Sequence, residues 1–216
     1  MAKTKLNFEN ISIALIWLFH VSGMFGIIYG NSSWFISFTP LNLTLNFILL
    51  LINCKGDKQV LTIIILGFFI GMITEILGVQ FGWIFGDYQY GNKLGTKVMG
   101  VPLLIGVNWA LLTVITGSIA QQFYFNIFMR VLVGVGLMLF LDLLMEPIAP
   151  ALDFWVFDGK EAPLQNYLGW VAVAIFLQFV YYLLKVRINS SFPFHLYLLQ
   201  IIFFSVLLIK FTTDGL

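Results

Sequence analysis

The sequence predicts an all-α fold, a polytopic bundle of about seven transmembrane helices, and three observations carry that expectation. Hydrophobic residues make up 60% of the 216-residue chain and charged residues only 10%. Mean hydropathy is +0.97, far more apolar surface than a soluble core of this length hides. Apolar runs also recur at lengths near the roughly 20 residues that cross about 30 Å of hydrocarbon.

The first run, residues 11–29, follows Lys3 and Lys5 as a signal peptide would. It is long for such a segment and lacks a small-x-small cleavage site, so a retained helix is expected. The second, 34–52, is interrupted by Pro40. The third, 60–79, carries Gly67, Gly71 and Gly78 on one stripe suited to close helix approach, and Glu75 follows Gly71 by one turn on that stripe. The fourth, 101–120, enters beside Pro102 and brings Asn108 and Trp109 to comparable depth. The fifth, 127–145, carries Asp142 in its last turn, with Glu146 one turn further on the same face. The sixth and seventh cover 167–185 and 194–209. Two long connections, 80–100 and 146–166, are rich in Gly, aromatics and acids, the composition of ordered capping loops rather than linkers. No fixed-period repeat appears, and residues 1–216 read as a single integral membrane domain.

Charged loops orient the bundle. With the N-terminus cytoplasmic, Lys3, Lys5, Lys55, Lys58, Arg130, Lys185 and Arg187 lie inside, against Lys93, Lys97, Lys160 and Lys210 outside. That bias favours a multi-pass cell-membrane protein with its C-terminus and both long loops on the outer side. The net charge of +1 gives no basic surplus for a nucleic acid. The single cysteine, Cys54, excludes an internal disulfide. No phosphate-cradling loop, Cys/His metal spacing or nucleophile elbow is present, so no cofactor and no metal are expected.

Glu75, Asp142 and Glu146 thus fall in the outer half of the bundle. A carboxyl in hydrocarbon is costly unless paired, hydrated or protonated, which makes an intramembrane acid a functional hypothesis. A neutral carboxylic acid beside an ionised one is the arrangement that general acid–base work requires. Aromatic residues around them, Trp83, Phe85, Tyr88, Tyr90, Trp109, Phe154 and Trp155, offer π faces to a developing carbocation. Each element also has a plainer reading. Paired acids serve packing, loop aromatics anchor at the interface, His20 is a hydrogen-bonded helix residue, and His195 is interfacial.

The run Glu75-Ile-Leu-Gly78, then Phe81-Gly82, Gly86-Asp87-Tyr88-Gln89-Tyr90, Leu94-Gly95, Gly100-Val101-Pro102 and Asn108-Trp109, resembles the central signature of the membrane carotenoid hydratases. The stretch Asp142-Leu-Leu-Met-Glu146-Pro147-Ile-Ala149-Pro150, on to Phe154-Trp155, is similar to their second signature. The first two and last two segments match in hydropathy only. The resemblance implies a hydro-lyase that adds water across the terminal C1–C2 double bond of a carotenoid ψ-end. Its partners would be the carotenoid, water and the lipid bilayer.

Protonation of that double bond gives a tertiary carbocation, which must be shielded from every nucleophile but one positioned water. Glu146 or Glu75 is the expected proton donor, with Asp142 as the ionised partner that orients water. Asp87 stands second, on a Gly-Asp-Tyr turn able to fold over the site, and Asn108 would hold the water or a carboxyl. Trp83, Tyr88, Tyr90, Trp109, Trp155 and His20 are the expected substrate-binding residues. A carotenoid cyclase starts with the same proton transfer, and a proton-coupled transporter also buries carboxyls. The first wants a drier site than Asn108 implies, and the second usually shows two related halves, which the sequence lacks.

Overall fold

The structure, a computed structural model, describes residues 7–123, 126–159 and 161–213. Lys3, Lys5 and Lys160, used above to orient the chain, lie outside the described residues. Among those described, seven spans are long and apolar enough to cross a membrane. They are α1 (Phe8–Tyr29), a broken second span of α2 (Ser32–Ile36) and α3 (Thr39–Asn53), α4 (Lys58–Phe81), α5 (Leu103–Ala120), α6 (Ile127–Met145), α7 (Leu164–Leu183) and α8 (Phe192–Thr213). A 3-10 turn, Glu146–Ile148, extends α6.

The break in the second span falls just before Pro40. Proline lacks an N–H and is tolerated only in a first helical turn, where that donor has no partner anyway. The Ser37 and Thr39 hydroxyls donate to carbonyls at the break, those of Trp34 and Ile36. Asp57 and Asn126 cap α4 and α6 by accepting the N–H groups of Val60 and Met129. Gly82 ends α4 in the left-handed region at φ 66° and donates to the Gly78 carbonyl, a conformation that favours glycine.

Helix α5 occupies the centre, packed against α3, α4, α6, α7 and α8. Its hydroxyls Thr113 and Thr116 are fully buried and bond back to carbonyls one turn earlier. Gln178 of α7 donates to Thr116 Oγ1 at 2.7 Å and to the Thr113 carbonyl at 3.2 Å, a polar tie where lipid offers helices no hydrophobic drive to associate. Two glycines of the α4 stripe lie on α5: a Cβ on Gly67 would stand 2.9 Å from the Ala110 backbone, and one on Gly71 2.6 Å from the Trp109 side chain, whereas Gly78 faces Tyr88 and Phe85 of the following connection.

The two long connections close one end of the bundle and are joined to each other. Strand β1 (Tyr88–Tyr90), from the first connection, pairs antiparallel with β4 (Trp155–Phe157), from the second, placing Tyr88 opposite Phe157 and Tyr90 opposite Trp155. Between them in sequence, β2 (Lys97–Val98) and β3 (Val101–Pro102) form a hairpin. Its turn residues Met99 and Gly100 both have positive φ, 49° and 85°, the signature of a two-residue type I′ turn. This hairpin is why the fourth span starts at Leu103 rather than Val101.

Candidate active site

Alternation along a strand sends every second side chain to one face. In β1 and β4 it turns Tyr88, Tyr90 and Phe157 inward, with Trp155 half-buried beside them, and leaves Gln89 and Val156 exposed. The paired strands thereby form an aromatic lid over the ends of α4, α5, α6 and α7.

Beneath it lies Glu75, 4% exposed. Its Oε2 accepts from the Tyr88 hydroxyl at 2.5 Å and the Tyr90 hydroxyl at 2.6 Å, and its Oε1 accepts from Trp109 Nε1 at 2.8 Å. Burial, with the Glu75 carboxyl alongside, pushes both phenols above the ordinary tyrosine range, so they remain protonated donors. Trp109 stacks on Trp170 with ring centroids 4.1 Å apart and planes at 21°, which fixes the indole that reaches Glu75.

The second carboxyl group is Glu146, at the end of α6. Its Oε2 accepts from Trp155 Nε1 at 3.0 Å and its Oε1 from Asn166 Nδ2 at 2.8 Å. The same Asn166 amide lies 3.5 Å from Asp142 Oδ2. Asp142 is fully buried, and its Oδ1 has no hydrogen-bond partner among the described residues. Asn166 therefore bridges the two acids, whose spacing of one turn on α6 places them on the same face.

Glu75 and Glu146 line one chamber of about 30 Å³, together with Asn108, Asn166, Trp109 and Trp170. That is room for about one water molecule. Asp142 does not line it; it stands behind Glu146. Glu146, Trp155 and Phe157 also line a cleft of about 780 Å³ on the other side, shared with Glu161 and Tyr167. Glu146 thus borders both the small chamber and the large cleft. On the opposite side, Ile105, Asn108, Met145 and Trp155 are shared with an apolar cavity of about 90 Å³ that His20 and Phe154 also line.

Of the residues expected from sequence, Glu75, Glu146, Asn108, Tyr88, Tyr90, Trp109 and Trp155 converge on the chamber, and His20 lines the adjoining cavity. Two lie apart. Trp83 is 58% exposed and packs on Phe81. Asp87 is exposed, its carboxyl against Gly82 rather than over the chamber. Asn166 and Trp170 join the site without having been expected. Their signal is an amide and an indole one turn apart at the start of an apolar run, at the depth of Asn108 and Trp109.

Fold and site together define a multi-pass membrane protein that buries a carboxyl cluster beneath an aromatic lid. The family profile described as carotenoid biosynthesis protein matches residues 36–213, and the chain belongs to that family. It is 29% identical over 119 residues to a bisanhydrobacterioruberin hydratase of Haloarcula japonica, covering 48% of this chain and 39% of that relative. The chain thus aligns with well under half the length of the curated relative. No solved structure matches.

Proposed function

We propose that the protein is a carotenoid hydratase acting at a ψ-end. The observation that carries this reading is that Glu75 and Glu146 line a single water-sized chamber whose other walls are two amides, aromatic rings and the apolar side chains of Ile105 and Met145. Glu146 gives its proton to the CH carbon of the terminal double bond. The chamber has room for the water alone, so the tertiary cation forms at its border with the adjoining cavity, against Trp155, which lines both. A water held by Asn108 adds its oxygen to the cation and passes a proton to a carboxylate, so the sum is one water gained with no redox change.

The hydrogen bonds of the acids support different roles for them. The three neighbours of Glu75 are all donors, the company an ionised carboxylate keeps, so Glu75 stabilises the cation and takes the proton of water. Glu146 borders the large cleft, through which its proton is replaced, and Asp142 supports it across Asn166. Membrane orientation belongs to the same reading: N-terminus in the cytoplasm, the lid and its cleft on the outer side.

The test is expression in a host that accumulates lycopene or γ-carotene, grown in heavy-oxygen water, with mass analysis of the pigments. Each modified end is expected to gain one labelled water while the polyene absorption stays nearly unchanged, because the terminal double bond lies outside the conjugated system. Label from molecular oxygen would make the protein a hydroxylase, and ring closure without mass gain would make it a cyclase.

A further inference from the structure

Each turnover of a hydratase consumes one water, and the carboxyl chamber holds about one. A replacement must therefore enter between turnovers. The aromatic lid closes the chamber above, and the adjoining cavity of about 90 Å³ leads on through Thr39, Asn42 and Phe203 to a third cavity of about 200 Å³. The rim of that third cavity includes Trp34 and Phe38, 54% and 41% exposed on the apolar flank of the bundle. That side faces hydrocarbon. The cleft of about 780 Å³ lies instead among Pro150, Val156 and Glu161, exposed residues of the second connection, and is the side that meets water.

Chamber and cleft share one wall, made of Glu146, Trp155 and Phe157. Two of the three are held in place. Trp155 and Phe157 sit in β4 opposite Tyr90 and Tyr88, and each ring packs on that partner, with centroids 6.2 and 5.3 Å apart. The Glu146 carboxyl is held by side-chain hydrogen bonds alone, from Trp155 Nε1 at 3.0 Å and Asn166 Nδ2 at 2.8 Å, on the stem of a residue that opens a single 3-10 turn. It is the part of the wall that can move.

A second partner for that carboxyl stands on the cleft side. Tyr167 follows Asn166 on α7, about 100° further round the helix, and lines the cleft but not the chamber. Its hydroxyl has no hydrogen-bond partner among the described residues, yet the charge of Glu146 bears on it more strongly than those of Asp142 and Glu161. The other hydroxyl of the cleft, Thr212, already donates to the Leu208 carbonyl. A free phenol donor beside a carboxylate is the partner that Glu146 meets when it turns outward.

We propose that Glu146 is the water gate of the site and that Tyr167 is the positioning residue that holds it open. Turned inward onto Trp155 and Asn166, the carboxyl closes the chamber; turned outward onto the Tyr167 hydroxyl, it lets one water pass from the cleft. The need for that water comes from the hydratase reading, while the gate itself stands on the shared wall and the unpaired phenol.

The test measures water entry without any turnover, in the full chain in lipid nanodiscs. Trp109 lines the chamber, is 1% exposed and donates its indole N–H to Glu75, so exchange of that proton with heavy water reads how often water enters. Ultraviolet resonance Raman follows the exchange, and loss of the signal in Trp109→Phe assigns it. Tyr167→Phe keeps the ring and removes the hydroxyl; it is expected to slow the exchange at least about tenfold, roughly the factor carried by one hydrogen bond to a charged group. Ala162→Trp puts a large ring into the cleft that Ala162 lines and is expected to slow it as much. A packing role for Tyr167 predicts no change, since the ring is kept. Exchange at the wild-type rate in either variant would overturn the gate. Heavy-oxygen incorporation into pigment is read separately: slowed exchange in variants of a chain that never hydrates pigment would refute the hydratase reading and leave the gate standing.

Discussion

At the scale of single residues, the site is a set of donors aimed at two glutamates. Hydrogen bonds to a charged group contribute about 1.5–3 kcal/mol, so Tyr88→Phe and Tyr90→Phe are each expected to lower hydration roughly ten- to hundredfold at unchanged protein yield. Both hydroxyls serve Glu75 Oε2, so the double variant is expected to lose less than the product of the single losses. Rates of pigment hydration in isolated membranes check this, and additive losses would show that the phenols act separately. Asn166→Leu removes the amide shared by Glu146 and Asp142 and is expected to cut turnover at least about tenfold. Glu75, Asp142 and Glu146 were legible in the sequence because charge inside an apolar run is conspicuous. Asn166 was not, because an amide at the start of a span is an ordinary helix-end residue until folding brings it across from α6. The withdrawn positions of Asp87 and Trp83 were equally hidden: a Gly-Asp-Tyr turn fixes where the chain bends, not which way its side chains point.

At the scale of elements, two contacts set the chamber. The first is α4 on α5. A side chain at Gly71 would strike Trp109, the residue that donates to Glu75, so Gly71→Leu is expected to destabilise by about 1–3 kcal/mol through overpacking. Thermal unfolding in detergent should show a lower Tm, and activity should fall with it; an unchanged Tm would mean the helices do not meet there. The second is the β1–β4 pair. The Asp158 N–H donates to the Asp87 carbonyl and the Gly91 N–H to the Phe154 carbonyl, so the alternation of an antiparallel ladder makes Gln89 and Val156 a hydrogen-bonded pair. Val156 is 40% exposed, and Val156→Pro removes its ladder N–H while its side chain faces away from the chamber. That variant is expected to insert normally and lose hydration. Full activity would show that the lid does not depend on the pairing. The spans themselves were readable to within a few residues, since hydrophobic length is a strong signal. That the two connections form ordered caps was readable from their composition, but their pairing was not, because β1 and β4 are three residues long each and lie far apart in the chain.

At the scale of the whole molecule, the cavities define a polarity: an apolar flank bounded by α1, α2, α3 and α8, a carboxyl chamber under the lid, and a cleft beyond Glu146. Tags in the 80–100 loop are expected on the outer side and tags beside Lys55 in the cytoplasm; the reverse would put the cleft, and with it the proton source, inside the cell. The central claim is that buried glutamates hydrate a carotenoid end, and it is tested most directly by the rate of heavy-oxygen incorporation from water into pigment by reconstituted wild-type, Glu75→Gln and Glu146→Gln proteins. Glutamine keeps the size and hydrogen bonding of glutamate but carries no transferable proton, and general acid–base catalysis contributes roughly 10² to 10⁴-fold. The wild-type protein should incorporate label, and each variant should fall by at least about a hundredfold at equal yield. If both variants keep most of the wild-type rate, the carboxyl mechanism is wrong.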